Sequence, residues 1–215
     1  MPPTLSTFGE YMHPFFETVA TQRWDDHRYY HHSRINQTLH LISALSFLVA
    51  YAYLFIDPVI AALIAWLVSM TTRQIGHFFF EPTDYDVVNQ ATHEHKEEIK
   101  VGYNLQRKVV LLSIWAAIPA LAYWMPEAVQ WAVPTEYQDT PLRMTAMVWL
   151  FLGAGGLVFR VLQLWQQQGL MAGLAWAYKI ITDPVHDVKM YHKAPLYLMR
   201  GQLLDPMEHV NASQH

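Results

Sequence analysis

Histidines are concentrated at the start of the first apolar run of this chain, in the stretch HHSRINQTLH at 31–40. Burying an imidazole is costly unless the ring is paired or binds a metal, so these residues either face water at a boundary or form a site. The 215 residues include 12 His and no Cys, which excludes disulfides, thiolate metal sites and thiol catalysis. Imidazole and carboxylate ligands without thiolate suit Fe(II), Mn(II) or Zn(II).

His31 and His40 can bind the same ion only if the chain breaks between them. The ligand atoms of one ion lie within about 4 Å of each other, whereas nine residues of continuous α-helix separate two side chains by about 13 Å along the axis. Ser33 and Asn36 favour caps and turns, so we predict a break at this point. His27 precedes His31 by four residues and can share a helical face with it.

The stretch RQIGHFFFEP at 73–82 supplies a third histidine, His77. If the two apolar runs before it form a hairpin of nearly equal helices, His40 and His77 meet at the same end. Glu81 follows His77 by four residues and can either bind the ion or accept the N–H of His77. Gly76 would let another helix approach closely. The alternative interpretation is a helix end that aromatic residues anchor at a membrane interface.

His186 is the candidate for a fourth ligand, because it follows a predicted helix start in TDPVHDVKMYHKAP at 182–195. His192 in the same stretch falls on another face of that helix. The stretch THEHKEE at 92–98 is polar enough to be a solvated helix. The predicted metal ligands are therefore His31, His40, His77 and His186.

Four apolar runs predict a helical membrane bundle. The runs cover about 41–56, 58–77, 109–125 and 144–162, and helices at 170–203 follow them. Each run is close to the roughly 20 residues that cross a bilayer. Charged residues make up 15% of the chain, against about 25% in soluble domains, although a mean hydropathy of +0.08 leaves a soluble all-α domain as an alternative. We predict an all-α membrane bundle, a single domain over 1–215, with about four transmembrane helices.

The basic residues predict the orientation of this bundle. Four spans place the segments 1–40, 73–108 and 160–215 on one side of the membrane. These segments contain 13 of the 14 Lys and Arg, and only Arg143 lies on the opposite side. By the positive-inside rule, both termini are then cytoplasmic. The predicted ligands lie on this side too, which gives the bundle a His-rich cytoplasmic face. The formal net charge of −4 argues against nucleic acid as a partner.

The residues around these histidines resemble the Mpo1-like family of membrane proteins. The matching positions are His31, Leu39, His40, Gly76, His77, Phe80 and Glu81. The resemblance is firm over about 31–81 and faint over 182–200. HSRIN stands where the family has Asn-Pro after the first His, and PTDYDVV stands where it has Asn-Arg-Pro-Ala after the Glu. The resemblance implies one Fe(II) ion per chain and a dioxygenase of fatty-acid α-oxidation that shortens 2-hydroxy fatty acids by one carbon.

In such an enzyme the acyl chain of the lipid substrate would lie among the helices. Its 2-hydroxy-carboxylate and O2 would meet at the ion, where the C1–C2 bond is cleaved oxidatively. Glu81 is then a candidate catalytic residue, and Tyr29, Tyr30 and Arg34 are candidates to hold the substrate carboxylate. One alternative is a di-metal fatty-acid hydroxylase or desaturase, for which HRYYHH at 27–32 fits one His cluster but the later His are sparse. Another is a non-enzymatic metal-binding membrane protein.

Overall fold

The computed structural model of the chain describes residues 5–99 and 105–207. The helices are α1 Leu5–Tyr30, α2 Arg34–Tyr53, α3 Pro58–Leu63, α4 Thr71–Phe79, α5 His93–Ile99, α6 Leu105–Trp124, α7 Glu127–Gln130, α8 Pro141–Gln168, α9 Leu170–Tyr191 and α10 Ala194–Met199. Over the described residues there is no β-strand, and the predicted all-α fold is confirmed. The domain expected over 1–215 also includes residues 1–4, 100–104 and 208–215, which lie outside the described part.

Three of the four spans that the sequence predicts correspond to helices long and apolar enough to cross a membrane. They are Arg34–Tyr53, Pro58–Phe79 and Pro141–Gln168. The apolar part of α6, Val109–Trp124, is shorter and contains Pro119. The region 170–203 contains α9 and α10, and α9 packs against α1, α2 and α8.

The first two of these long helices form an antiparallel hairpin. The second arm runs without a break through α3, a π-helix at Ile64–Met70 and α4. Asp57 caps this arm, because its carboxylate accepts the N–H of Val59 at 2.9 Å while Pro58 occupies the first helical turn. α2 packs along both the π-helix and α4. The chain therefore returns to the end of the bundle at which α2 began.

The predicted break between His31 and His40 is present. α1 ends before His31, and α2 begins at Arg34. Ser33 is the N-cap residue of α2, and its hydroxyl accepts the backbone N–H of Asn36 at 3.4 Å. The two histidines therefore lie on different elements, and the spacing of a single helix does not apply to them.

The C-terminal segment 203–207 lies across this break. The backbone N–H of Arg34 donates to the carbonyl of Leu203 at 2.9 Å, and the N–H of Asp205 donates to the carbonyl of His32 at 2.7 Å. The Asp205 carboxylate also pairs with the Arg34 guanidinium at 2.9 Å. The turn between α1 and α2 is thus held by main-chain and side-chain contacts from the far end of the chain.

The apolar core lies near the hairpin turn, away from the histidines. Its buried members are Val59, Ala62, Ala122, Val129, Val133, Met144, Ala146 and Met147. Further along the bundle, the rings of Trp115 and Trp149 stack with centroids 5.2 Å apart. The indole N–H of Trp149 donates to the carbonyl of Trp115 at 2.9 Å. This apolar packing stabilises the end of the hairpin that contains the turn. The polar groups lie at the opposite end.

Candidate metal centre

Three imidazoles converge at the open end of the hairpin. The Nε2 atom of His40 lies 3.3 Å from Nε2 of His31 and 3.1 Å from Nε2 of His77. Two nitrogens that each lie about 2.1 Å from one ion are about 3.0 Å apart at a right angle and about 3.4 Å apart at a tetrahedral angle. The two separations from His40 therefore fit ligands of a single ion, and the ligand atoms of all three rings lie within 4.8 Å of one another. Within the described residues, His31, His40 and His77 form the group of side chains whose ligand atoms lie close enough to hold a metal ion.

The other nitrogen of each ring, Nδ1, faces an oxygen atom. The oxygens are the main-chain carbonyl of Asp26 for His31 at 2.9 Å, Glu81 for His77 at 2.8 Å and Asp187 for His40 at 3.6 Å. A proton on Nδ1 directed at such an acceptor leaves the lone pair on Nε2. Three lone pairs within 4.8 Å of one another repel, and a cation between them would relieve this repulsion.

The three rings differ in burial. His31 and His40 are 4% and 0% exposed, and the side chain of His77 is 11% exposed. Burial, together with the neighbouring imidazoles of His40 and His77, lowers the pKa of His31 well below its usual value. The His31 ring is therefore neutral near pH 7, as a metal ligand must be. His77 is thus the most exposed of the three rings.

The donor set suits Fe(II), Mn(II) and Zn(II) alike. Three imidazoles do not fill the coordination sphere of any of these ions. Open positions are the feature that separates catalytic sites from closed structural ones. The geometry therefore fits an ion that can also bind a small molecule.

Glu81 lies beside His77, as the spacing of four residues predicts. Its side chain is 5% exposed, and its Oε2 accepts the Nδ1–H of His77 at 2.8 Å. The alternative of a helix end anchored at a membrane interface would leave this carboxylate solvated, whereas the Glu81 side chain is buried beside His77. A role for Glu81 in catalysis stays a prediction.

A close approach of α2 and α4 brings His40 and His77 together. A Cβ atom at Gly76 would lie 2.1 Å from Oδ1 of Asn36, so any larger residue would have to displace the Asn36 side chain. Asn36 is fully buried, and its side-chain amide donates to the carbonyl of Tyr30 at 2.9 Å. The predicted role of Gly76 in helix approach is confirmed.

The structure does not place His186, the predicted fourth ligand, in the three-His group. His186 is half-buried, and its pKa is lowered, first by burial and then by the charge of Arg23. Asp187, the next residue, is the one that faces His40. Successive side chains on an α-helix leave the axis about 100° apart, so His186 points away from the position that Asp187 occupies.

Tyr30 and Arg34, two of the three residues predicted to hold the substrate carboxylate, both have partners within the protein. The hydroxyl of Tyr30 donates to the main-chain carbonyl of Lys96. The guanidinium of Arg34 lies over the ring of Tyr197, 4.4 Å from its centroid, and pairs with Asp205. Each side chain therefore has a structural contact, and a catalytic role for either stays a prediction.

Two residues of α9 near the histidines were missed by the sequence analysis. Asp187 faces His40, and the hydroxyl of Tyr191 lies 3.1 Å from Nδ1 of His27. Both residues are buried. The signal that could have found them is the spacing of Asp183, Asp187 and Tyr191, since residues four apart share one face of a helix.

Comparison with protein-family models, curated proteins and solved structures finds no match to this chain. The resemblance to the Mpo1-like family thus stays a prediction from the residues over 31–81. Three of its matching positions, His31, His40 and His77, are the ones whose ring nitrogens meet in the structure.

Proposed function

We propose that the protein is an iron-dependent dioxygenase that cleaves the C1–C2 bond of a 2-hydroxy fatty acid. The observation that carries the proposal is the convergence of three Nε2 atoms. The rings of His31 and His77 are held through Nδ1 by hydrogen bonds, and Nδ1 of His40 lies 3.6 Å from Asp187. The resemblance over 31–81 supports iron and the lipid substrate. The apolar helices support a substrate with a long acyl chain, because that chain can lie among them while its head group reaches the histidines.

The charges around the histidines favour a ligand with a single negative charge. Glu81 and Asp187 contribute two carboxylates, and Arg73 pairs with Asp187 at 3.1 Å. The neighbouring ion-paired charges balance one another. They belong to Arg23, Asp26, Lys179 and Asp183. A divalent ion bound to three neutral imidazoles would retain one uncompensated positive charge, which the carboxylate of a 2-hydroxy acid would neutralise.

A bound Fe(II) would supply the redox chemistry that lets O2 react with the substrate. The overall conversion of RCH(OH)COOH and one O2 to RCOOH, CO2 and water balances in atoms. It also balances in electrons, because O2 takes up all those released by the cleavage, and no external reductant is needed. In this scheme the protein supplies the three histidines, holds the ring of His77 with Glu81, and keeps His31 and His40 away from bulk water.

The test is to load anaerobically purified protein with Fe(II) and measure metal stoichiometry and O2 uptake. We expect one ion per chain and one O2 consumed per 2-hydroxy fatty acid without added reductant. The parent fatty acid, which lacks the 2-hydroxyl, is the matched control and should support no uptake. Two ions per chain and a need for reductant would instead indicate a di-metal hydroxylase. Bound metal without uptake would indicate a metal-binding protein that is not an enzyme.

The proposed site lies at the cytoplasmic end of the bundle. This orientation rests on the charges of the sequence, since Arg143 is the one Lys or Arg assigned to the opposite side. Reporter fusions after Trp131 and after Gly201 should report opposite sides of the membrane, with Gly201 cytoplasmic. Matching reports would contradict the single span predicted between these two positions, and a Gly201 fusion on the opposite side from the cytoplasm would contradict the orientation.

A further inference from the structure

A row of buried polar side chains on α9 faces α1 and α2. Its members recur every four residues and are Lys179, Asp183, Asp187 and Tyr191. Lys179 pairs with Asp26 and Asp183, and Tyr191 contacts His27. Among these four side chains, Asp187 is the one that presents a carboxylate to a histidine of the three-His group.

The Asp187 carboxylate lies between a cation and an imidazole. Its Oδ2 atom is 3.1 Å from Nη1 of Arg73 and 3.6 Å from Nδ1 of His40. The separation from His40 is longer than a hydrogen bond, and a movement of about 0.7 Å would bring it to the usual N···O distance. Such contacts in metal-free or substrate-free sites often tighten when the ligand binds.

Because His40 is buried, its ring N–H needs an acceptor within the protein, and Asp187 is positioned to be that acceptor. The His40 side chain is 0% exposed, and Asp187 is 8% exposed. A buried ring N–H requires an acceptor, and the identity of that acceptor decides which nitrogen carries the proton. With the proton on Nδ1, the Nε2 lone pair of His40 is available to an ion shared with His31 and His77.

We propose that Asp187 is a positioning residue of the metal site: held by Arg73, its carboxylate accepts the Nδ1–H of His40 and directs Nε2 toward the ion. This inference rests on the metal binding of the proposed function. Asp187 on α9 would then act toward His40 as Glu81 acts toward His77. Unlike Glu81, it lies outside the stretch 31–81. A purely structural Asp187 would only neutralise Arg73 and join α9 to α4.

The experiment compares Asp187→Asn with Asp183→Asn. Both replace a buried carboxylate on the same face of α9, but Asp183 pairs with Lys179 at 2.9 Å and Arg23 at 3.2 Å and contacts no histidine of the site. The probe is Co(II), whose affinity is measured by chelator competition and whose absorption spectrum reports the ligand geometry. Thermal unfolding in detergent reports the fold.

We expect Asp187→Asn to weaken Co(II) binding about 10- to 100-fold and to alter the Co(II) spectrum. Asp183→Asn should bind Co(II) as the wild type does. Because Asp187→Asn leaves Arg73 without its carboxylate, the double variant with Arg73→Gln removes the stranded charge and should show the same loss of affinity. Asp187→Glu keeps the charge and should retain affinity closer to that of the wild type.

Wild-type affinity and spectrum in both Asp187→Asn and the double variant would overturn the inference and leave the proposed function standing. An equal loss in Asp183→Asn would also overturn it, since the effect would then come from the packing of α9. Failure of the wild-type protein to bind Co(II) or Fe(II) would remove the proposed function together with this inference.

Discussion

The Nε2 atoms of His31 and His40 lie 3.3 Å apart, although a continuous helix would hold these residues on different turns. The break capped by Ser33 is what allows them to meet. At about 2.1 Å from an ion, two ligands have the separation that this pair shows. The site therefore depends on features that keep the break and the helix crossing in place.

Alanine at His31, His40 or His77 should remove most of the bound metal, because two imidazoles hold a divalent ion far more weakly than three. Metal content after loading with Fe(II) or Co(II) is the measurement, with circular dichroism to check helicity. His192→Ala is the matched control, since His192 is exposed and bonds the carbonyl of Lys189. Full metal retention in His40→Ala would contradict the site.

His186→Ala tests whether the site has three ligands or includes His186 as the fourth ligand that the sequence predicts. Since the side chain of His186 lies outside the group of converging nitrogens, its removal should leave metal content near the wild-type value. A loss as large as that of His77→Ala would show that His186 reaches the ion when metal is bound.

Glu81 should affect metal affinity by accepting the Nδ1–H of His77. Replacing Glu81 with Ala removes the acceptor of the Nδ1–H, and loss of such a partner costs about 10- to 100-fold in metal affinity or activity. Glu81→Gln keeps one acceptor oxygen without the charge and should be intermediate. Asp84→Ala is the control, because Asp84 is an exposed carboxylate in the same loop. If iron content and O2 uptake both stay at wild-type levels in Glu81→Ala, this role for Glu81 is wrong.

Local features of the site could be predicted from the sequence. The break before α2 follows from the capping preference of Ser33, and the hairpin turn follows from Asp57 and Pro58. The pair of His77 and Glu81 follows from helical spacing alone. Each of these features depends on residues that are close in sequence, so propensity and periodicity were sufficient.

Features that depend on distant packing could not be predicted in the same way. The rotation of α9 decides whether His186 or Asp187 faces His40, and the packing of α9 against α1, α2 and α8 sets that rotation. The π-helix at Ile64–Met70 changes the phase of the second arm before it reaches His77. The partner of Arg34 is Asp205, at the other end of the chain, and no local pattern links the two.

Gly76→Ala should separate α2 from α4. The added methyl group would meet the Asn36 amide at 2.1 Å, and overpacking of this kind costs about 1–3 kcal/mol. We expect a lower melting temperature and weaker Co(II) binding. Gly155→Ala is the matched control, because nothing lies within 4 Å of its added Cβ. The double variant with Asn36→Ala should recover part of the loss, and no recovery would show that the clash lies elsewhere.

The contact between Arg34 and Asp205 distinguishes two roles for Arg34. If the pair clamps the break, Asp205→Ala and Arg34→Ala should each weaken metal binding and cost about 1.5–3 kcal/mol in stability. The double variant should cost little more than either single variant, because the two residues act together. Asp139→Ala is the control, since Asp139 forms an exposed pair with Arg143 that is worth under about 1 kcal/mol.

If Arg34 instead holds a substrate carboxylate, as the sequence predicts, the two variants will differ. Arg34→Ala would then raise the KM for a 2-hydroxy fatty acid, whereas Asp205→Ala would free the guanidinium and lower it. The clamp predicts the same direction for both variants, in metal affinity and in melting temperature. Opposite changes in KM with unchanged metal affinity would show that Arg34 binds substrate and that the segment 203–207 competes with it.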